Sequence, residues 1–244
     1  EGFDGLHGDN SELFFNSPII GHDVLNGQGN DTDYDGESGN DIMVQGPGIQ
    51  RSNGMLGFDW AIHKGDPVGA DSDLAIPFFP AQTVFILRDR FDMVEALSGW
   101  RFDDRLVGTS SPTGGPPNGV DGGGIIGGPA NGNALLQKDV AMIGGLQSLL
   151  GVPATLNPEA LVFNPQAGAD ILIGGAGSDV MEGKAGNDLI DGDSWLNVRI
   201  AIAPGANPAP ANAESLNDIK AMMLAGTINP GQLQIVREIL PGSG

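Results

Sequence analysis

The chain has 244 residues, enough for one large domain or two small ones, and its 11 basic against 31 acidic side chains give a formal charge of −20. That excess disfavours nucleic acid and anionic membrane surfaces as partners, and the absence of cysteine excludes disulfides and thiol nucleophiles. No apolar run reaches the roughly 18 residues that a membrane span needs, and 40 glycines with 17 prolines suit short strands between turns better than a conventional α/β core.

The N-terminal EGFDGLHGDN is no signal peptide; it starts in mid-pattern, as a piece of something longer would. The apolar SELFFNSPII (11–20) is suited to capping the block that follows. In residues 21–62, Asp23, Asp41 and Asp59 stand 18 apart, each followed two positions later by an apolar residue: Leu25, Met43, Ala61. The turns before Ile42 and Trp60 read GESGND and GMLGFD. The half-turns between them are degenerate: NGQGND places Asp31 a residue early and Asp33 a residue late, and QGPGIQ has Gln50 where an aspartate belongs. A nine-residue coil step puts equivalent residues on alternate sides of a flattened solenoid, so residues 18 apart stack on one side. We expect two stacked cation sites there, 23/41 and 41/59, with Asp31 a further candidate ligand on a poorer side.

Residues 63–83 form an extended excursion in which Asp66, Asp71 and Asp73 are either solvated loop acids or a local calcium loop. Leu87, Phe91, Val94 and Leu97 recur at helical spacing and predict a helix over 88–97, stopped by Ser98-Gly99. Arg88, Arg90 and Arg101 are placed to neutralise neighbouring acids. GWRFDDRLVG (99–108) is a cryptic repeat with Asp104 and Leu106 in frame. Residues 108–133 are a Gly/Pro-rich loop or linker, and 134–151 again show helical spacing, weakened by Gly144-Gly145.

The clearest pattern follows. In GADILIGGAGSDVMEGKAGNDLIDGD, Asp170, Asp179 and Asp188 stand nine apart, and GGAGSDVME (174–182) and GKAGNDLID (183–191) both fit G-G-x-G-x-D-x-U-x, where U is a large apolar residue. The physical reading of that repeat is a calcium-bound parallel β-solenoid. Glycines permit the tight turn, and the turn aims carbonyls and a carboxylate at one point, as hard Ca²⁺ with its 6–8 oxygen ligands requires. Leu172, Met181 and Ile190 are expected to point into the coil. Asp179 has no aspartate 18 residues away, position 161 being Leu and 197 Asn. SWLNVRIAIA (194–203) alternates as a half-buried strand, 204–211 is a spacer, and helices are predicted at about 214–225 and 230–239, the second capped by Asn229 with Pro230 at its first position.

The ordered features GMLGFDW, HKGDPVGADSDL, ILRDRFDMVEALSGWRFDD, the repeats through IDGDSWLNVRI, and NPGQLQIVREIL resemble the RTX (haemolysin-type) calcium-binding region of large secreted bacterial proteins that also carry an animal-type haem peroxidase module. The resemblance covers about 21–107 and 134–240. It implies type I secretion, calcium-triggered folding outside the cell and a β-roll. Carried residue by residue, it implies as ligands Asp170, Asp179 and Asp188 with the carbonyls of Gly174, Ala176, Gly183 and Ala185. In the first block it implies Asp41 with Gly36 and Ser38, and Asp59 with Gly54 and Leu56.

The expected fold is mainly β, a short parallel β-roll or β-solenoid with calcium-binding turns, a few peripheral helices and long Gly/Pro-rich loops. Its divisions are 1–107, the first repeat block with cap and helix; 108–133, the linker; 134–203, a helix, the second block and a strand; and 204–244, spacer and C-terminal helices. None of His7, His22 and His63 sits in a recognisable haem-binding helix, H-E-x-x-H and G-x-S-x-G are absent, and Asp103-Asp104 reads as ligand or solvated acid rather than a catalytic pair. Trp60, Trp100 and Trp195 read as core or cap. The expected function is thus non-catalytic: a secreted or cell-surface module that binds several calcium ions, folds on binding them, and scaffolds other domains of its parent protein. The alternative is an adhesive module that meets copies of itself. Extracellular calcium modules bind at roughly 10⁻⁴–10⁻³ M, and at ten times Kd each ion adds about 1.4 kcal/mol, so four sites would match the stability of an ordinary domain.

Overall fold

The computed structural model describes residues 3–9, 20–78, 87–110, 133–165, 168–203 and 212–242. Its short strands follow one another as β1 (Asp4–His7), β2 (Val24–Asn26), β3 (Thr32–Asp35), β4 (Ile42–Val44), β5 (Gln50–Asn53), β6 (Trp60–Ile62), β7 (Asp71–Asp73), β8 (Arg90–Asp92), β9 (Ala96–Ser98), β10 (Arg105–Val107) and β11 (Leu135–Leu136). Helices α1 (Gln137–Val140) and α2 (Leu146–Leu149) precede β12 (Leu161–Phe163), β13 (Ile171–Ile173), β14 (Val180–Glu182), β15 (Leu189–Asp191) and the longer β16 (Ser194–Ile202). β17 (Asn212–Ala213), α3 (Leu216–Leu224) and β18 (Leu233–Pro241) follow.

Three parallel sheets hold the repeat blocks: six strands in the order β15-β13-β9-β6-β4-β2, four in the order β1-β3-β5-β8, and three in the order β14-β10-β7. From β2 to β10, and again from β13 to β15, each strand of the six-stranded sheet is followed by a strand of one of the other two. The six strands are in register, Val24 against Ile42, Trp60, Ala96, Ile171 and Leu189. β9 pairs with β13, so both repeat blocks contribute to this one sheet.

Both faces of the six-stranded sheet are covered, which is why its strands read IMV, WAI and ILI without polar alternation. Their central residues, Leu25, Met43, Ala61, Leu97 and Leu172, meet Tyr34, Phe91 and Leu106 of the other two sheets. Their flanking residues, Ile42, Val44, Trp60, Ile62, Ile171 and Ile173, meet Leu135, Val140, Ile143 and Leu146, together with Leu196 and Val198 of β16. β16 and β18 form an antiparallel ribbon from Ser194↔Pro241 to Ile202↔Leu233, with α3 packed at its far end through Ile219, in a cluster that Ile228 joins.

Several elements differ from the sequence expectation. The helix predicted over 88–97 is two strands, β8 and β9, joined by Met93–Glu95 with Met93 at φ 50°. Phe91, Val94 and Leu97 share one cluster because a strand, a tight turn and a second strand also bring every third residue inward. The helix predicted over 134–151 is broken into β11, α1 and α2 by Gly145 at φ 83°. The segment 230–239 begins as a 3-10 turn, Pro230–Gln232, with the Asn229 side chain accepting from the Gly231 N–H, and then becomes β18 because β16 offers it a nine-residue pairing partner. Ile190 is 48% exposed rather than enclosed, since β15 is the edge strand and no further layer among the described residues covers it. The helix predicted at 214–225 and the strand at 194–203 are present as α3 and β16. The proposed cap, SELFFNSPII, lies outside the described residues except for Ile20, as does most of 108–133.

Successive layers touch at glycine. Gly39 and Gly57 have φ of 137° and 140°, and a Cβ on either would land on the carbonyl of Gly21 or Gly39 in the adjoining layer. Gly57→Ala is therefore expected to lower stability by about 1–3 kcal/mol through backbone strain and to separate the layers. Gly5→Ala, with nothing within 4 Å of a new Cβ, is expected to be nearly neutral. Urea unfolding of both variants in calcium provides the measurement, and equal midpoints would contradict close layer contact at Gly57.

Candidate metal centre

Each turn entering the six-stranded sheet ends in an acid, and these acids stack in a column. The Asp23 N–H donates to Asp41 Oδ1 at 2.7 Å and the Asp41 N–H to Asp59 Oδ1 at 2.7 Å. The Asp59 N–H donates to Glu95 Oε2 at 2.7 Å, and the Asp170 N–H to Asp188 Oδ1 at 3.0 Å. In Asp41 and Asp59 one carboxylate oxygen is thus spent on joining layers, and the other turns into the bend. A Cβ built on Gly36 would lie 2.7 Å from Asp41 Oδ2 and 3.0 Å from the Gly54 carbonyl oxygen. On Gly8 it would lie 3.0 Å from Asp23 Oδ2 and 2.6 Å from the Gly36 carbonyl. Gly54 has Asp59 Oδ2 and the Met93 carbonyl beside it in the same way, and Gly108 has Asp170 Oδ2 and the Gly183 carbonyl. The first glycine of each turn therefore leaves open a space toward which a carboxylate and the next layer's carbonyl converge.

The residues fit a hard cation. Among the described residues, the buried atoms Asp23 Oδ2, Asp41 Oδ2, Asp59 Oδ2 and Asp170 Oδ1 have no hydrogen-bond partner, a costly arrangement for charged oxygens unless something positive sits among them. The donors are all oxygen, as calcium requires.

A second column lies on the side of the three-stranded sheet. The Ala70 N–H donates to Asp104 Oδ1 at 2.6 Å and the Asp104 N–H to Asp179 Oδ1 at 2.9 Å. Asp179 thus has a stacking partner after all, 75 residues away rather than 18, because a long excursion separates Gly108 from Gly168 within the turn that runs from Gly108 to Asp170. Asn197 is bonded to Glu238 on β18 instead. Asp104 and Leu106 occupy the cryptic repeat as expected, with Leu106 fully buried. Gly174 and Gly183 approach Asp179 Oδ2 and Asp188 Oδ2 respectively. Asp31 joins neither column; it is exposed and accepts the Ile49 N–H at 2.9 Å. The Ser38 and Leu56 carbonyls accept from Gly21 and Gly39 across layers at 3.1 and 2.7 Å, and Ala185 presents its carbonyl near Gly168. Ala176 takes its layer contact through its N–H, to the Trp100 carbonyl at 2.9 Å.

Glu95 is the column member missed in the sequence. It lies 36 residues after Asp59 yet only one layer away, because the 63–92 excursion lies between them in sequence, and the apparent helix hid it. Its longer side chain spans the shorter Met93–Glu95 turn, and it also accepts from Asn133 Nδ2 at 2.8 Å.

On the side of the four-stranded sheet, the Gln50 N–H donates to Asp89 Oδ1 at 2.9 Å, and burial raises the Asp89 pKa. Asp71 pairs with Arg88 and Arg105 at 2.7 and 2.9 Å, while Arg101 lies 3.6 Å over the Trp100 ring. Asp66 is buried rather than solvated: its Oδ2 is 2.8 Å from His63 Nδ1, and His63 Nε2 is 2.8 Å from Ser72 Oγ. This has the connectivity of a catalytic triad, but Ser72 is wholly buried, so the network anchors the 63–72 excursion to the core.

Comparison with known proteins gives one match: the family model for the RTX calcium-binding nonapeptide repeat (4 copies) covers residues 166–194, the segment that carries Asp170, Asp179 and Asp188. No curated protein and no solved structure matches. Asp23, Asp41 and Asp59 lie outside the matched segment but follow the same stacking rule.

Packing these carboxylates together raises their pKa values. Burial, reinforced by the Asp23 charge, pushes Asp41 up to about 8, and burial with Asp188 nearby pushes Asp170 up to about 7. Burial, with Asp41 and Glu95 adjoining, raises Asp59 strongly. A carboxyl whose folded pKa is raised contributes stability that is complete below its unfolded value near 3.8 and is lost as pH rises through about 7 to 8. The urea midpoint of the metal-free chain should therefore fall between about pH 5 and about pH 9. Saturating calcium should remove most of that fall, and an unchanged slope with calcium present would count against cation binding at these acids.

Proposed function

We propose that this chain is a calcium-binding structural module, a β-roll that assembles when ions enter between its turns. The observation that carries this reading is the convergence, turn after turn, of a carboxylate Oδ2 and a carbonyl of the next layer beside a glycine. Asp23, Asp41, Asp59, Asp170 and Asp188 would hold ions along one edge, and Asp104 and Asp179 along the other, aided by the carbonyls of Gly36, Gly54, Gly174 and Gly183. Bound calcium supplies positive charge where like charges otherwise oppose folding. Millimolar calcium outside the cell makes that compartment the place of folding. The module then serves as a non-catalytic scaffold for neighbouring domains, of haem peroxidase type if the sequence resemblance extends to them.

A metal count by native mass spectrometry tests the reading directly: several calcium ions per chain are expected, with loss of β circular dichroism in excess chelator. Asp59→Asn should remove one ion and weaken the remaining binding by roughly 10–100-fold, the range seen when metal sites lose a supporting group. A chain that binds no calcium, or keeps its full spectrum in chelator, would overturn the proposal.

One observation favours a second role as a self-assembling module. Among the described residues β14 and β15 are edge strands, with Val180 and Ile190 on them 64% and 48% exposed, so no described strand pairs with this end of the stack. Size-exclusion chromatography with calcium should then show polymers that Ile190→Lys disperses; a calcium-loaded monomer at all concentrations would remove this role.

A further inference from the structure

We propose that His7, Asp35 and Glu37 form a second kind of metal site, for a divalent transition-metal ion of the zinc class, separate from the calcium columns. The site lies on the four-stranded sheet, where β1 and β3 end and the Gly36 turn begins. His7 Nδ1 stands 3.9 Å from Asp35 Oδ2 and 3.9 Å from Glu37 Oε1, and the three ligand atoms all lie within 4.8 Å of one another. A separation of 3.9 Å is too long for a hydrogen bond. Two donors each about 2.0–2.2 Å from one ion stand at most about 4.4 Å apart, so the two separations from His7 fit a shared ion.

Ligand chemistry sets the class. Calcium takes oxygen ligands, whereas imidazole with carboxylates suits zinc and its neighbours. His7 is the histidine left for this: His22 Nδ1 accepts the Asn40 N–H at 2.8 Å, and both ring nitrogens of His63 are engaged. An independent observation lies one layer further. His7, Asp35 and Asn53 are in-register neighbours across β1, β3 and β5, so their side chains leave the same face. Asn53 is fully buried, and neither its Oδ1 nor its Nδ2 has a hydrogen-bond partner among the described residues. A buried amide oriented beside the cluster is a fourth donor, or a partner for a water bound to the ion. Glu37 also stands where the equivalent turn, Gly54-Met55-Leu56, buries a methionine: its φ of 71° matches 67° at Met55, and both side chains are wholly buried.

The inference does not depend on calcium in the columns. The test dialyses the tag-free chain, in saturating calcium, against micromolar Zn²⁺ and counts both metals by mass spectrometry. The wild type should retain one zinc ion more than His7→Gln, with calcium content and circular dichroism the same in both; His7 is on an edge strand and partly exposed, so the substitution leaves the core intact. Glu37→Met, which copies the next layer, should also lose that zinc. As a second readout, Co²⁺ bound to the wild type should give visible absorption bands that His7→Gln abolishes. Equal zinc in wild type and His7→Gln, the result expected of a plain histidine–carboxylate ion pair, overturns the proposal. Displacement of calcium one for one by zinc overturns it too.

Discussion

The fold rests on one contact repeated between layers: a backbone N–H donating to the carboxylate of the neighbouring turn's acid, as Asp23 does to Asp41 and Asp41 to Asp59. That contact holds the layers in register, because it forms only when equivalent residues lie directly over one another. It also collects negative charge in a buried file. Asp41 and Asp59 each have one oxygen committed to a backbone N–H of the adjoining layer and the other facing the bend, beside the carbonyls of Gly54 and Met93. Arg237 lies near the upper turns, reaching the His22 carbonyl from β18 beside Asp23 and Asp41. One guanidinium does not offset a file of acids, and an intercalated cation resolves the conflict more directly than protonation at neutral pH.

The same geometry explains why the chain tolerates long interruptions. An excursion that leaves a turn after its first glycine and returns at the fourth position disturbs neither the column nor the sheets. Gly108 and Asp170 belong to one such turn, with the Thr109 N–H still donating to Asp170 Oδ2 at 2.6 Å across 61 residues of sequence. Gly8 and Asp23 belong to another. The excursion from Gly108 is put to structural use. Its residues 133–150 cover the outer face of the six-stranded sheet through Leu135, Val140 and Leu146, and Asn133 braces Glu95 in the column.

The divalent site proposed at His7, Asp35 and Glu37 uses the same layered register for other chemistry. Parallel in-register strands line up whatever residues end them, so one histidine at the edge of the stack suffices to change the donor set from oxygen alone to oxygen and nitrogen. The columns and this cluster thus differ by residue type rather than by backbone.

By itself the sequence determined the turns, the apolar centres of the strands and the acids that stack, because these follow a rigid period: Leu25, Met43, Ala61 and Leu172 lie in one core, and Asp23, Asp41 and Asp59 in one file. Wherever period and local spacing agreed, as in β16 and α3, the element was legible. What only the tertiary structure decided depends on contacts between distant segments. Residues 88–97 carry a spacing that fits a helix or two inward-facing strands, and pairing of β8 with β5 and of β9 with β6 selects the strands. β18 is a strand because β16 offers a ladder that an isolated segment lacks. Asp179 meets Asp104, Glu95 continues the file and His7 meets Glu37 because the chain returns to the same layer after intervals that no local pattern encodes. Local periodicity specifies what a layer contains, and long-range pairing specifies which layers touch.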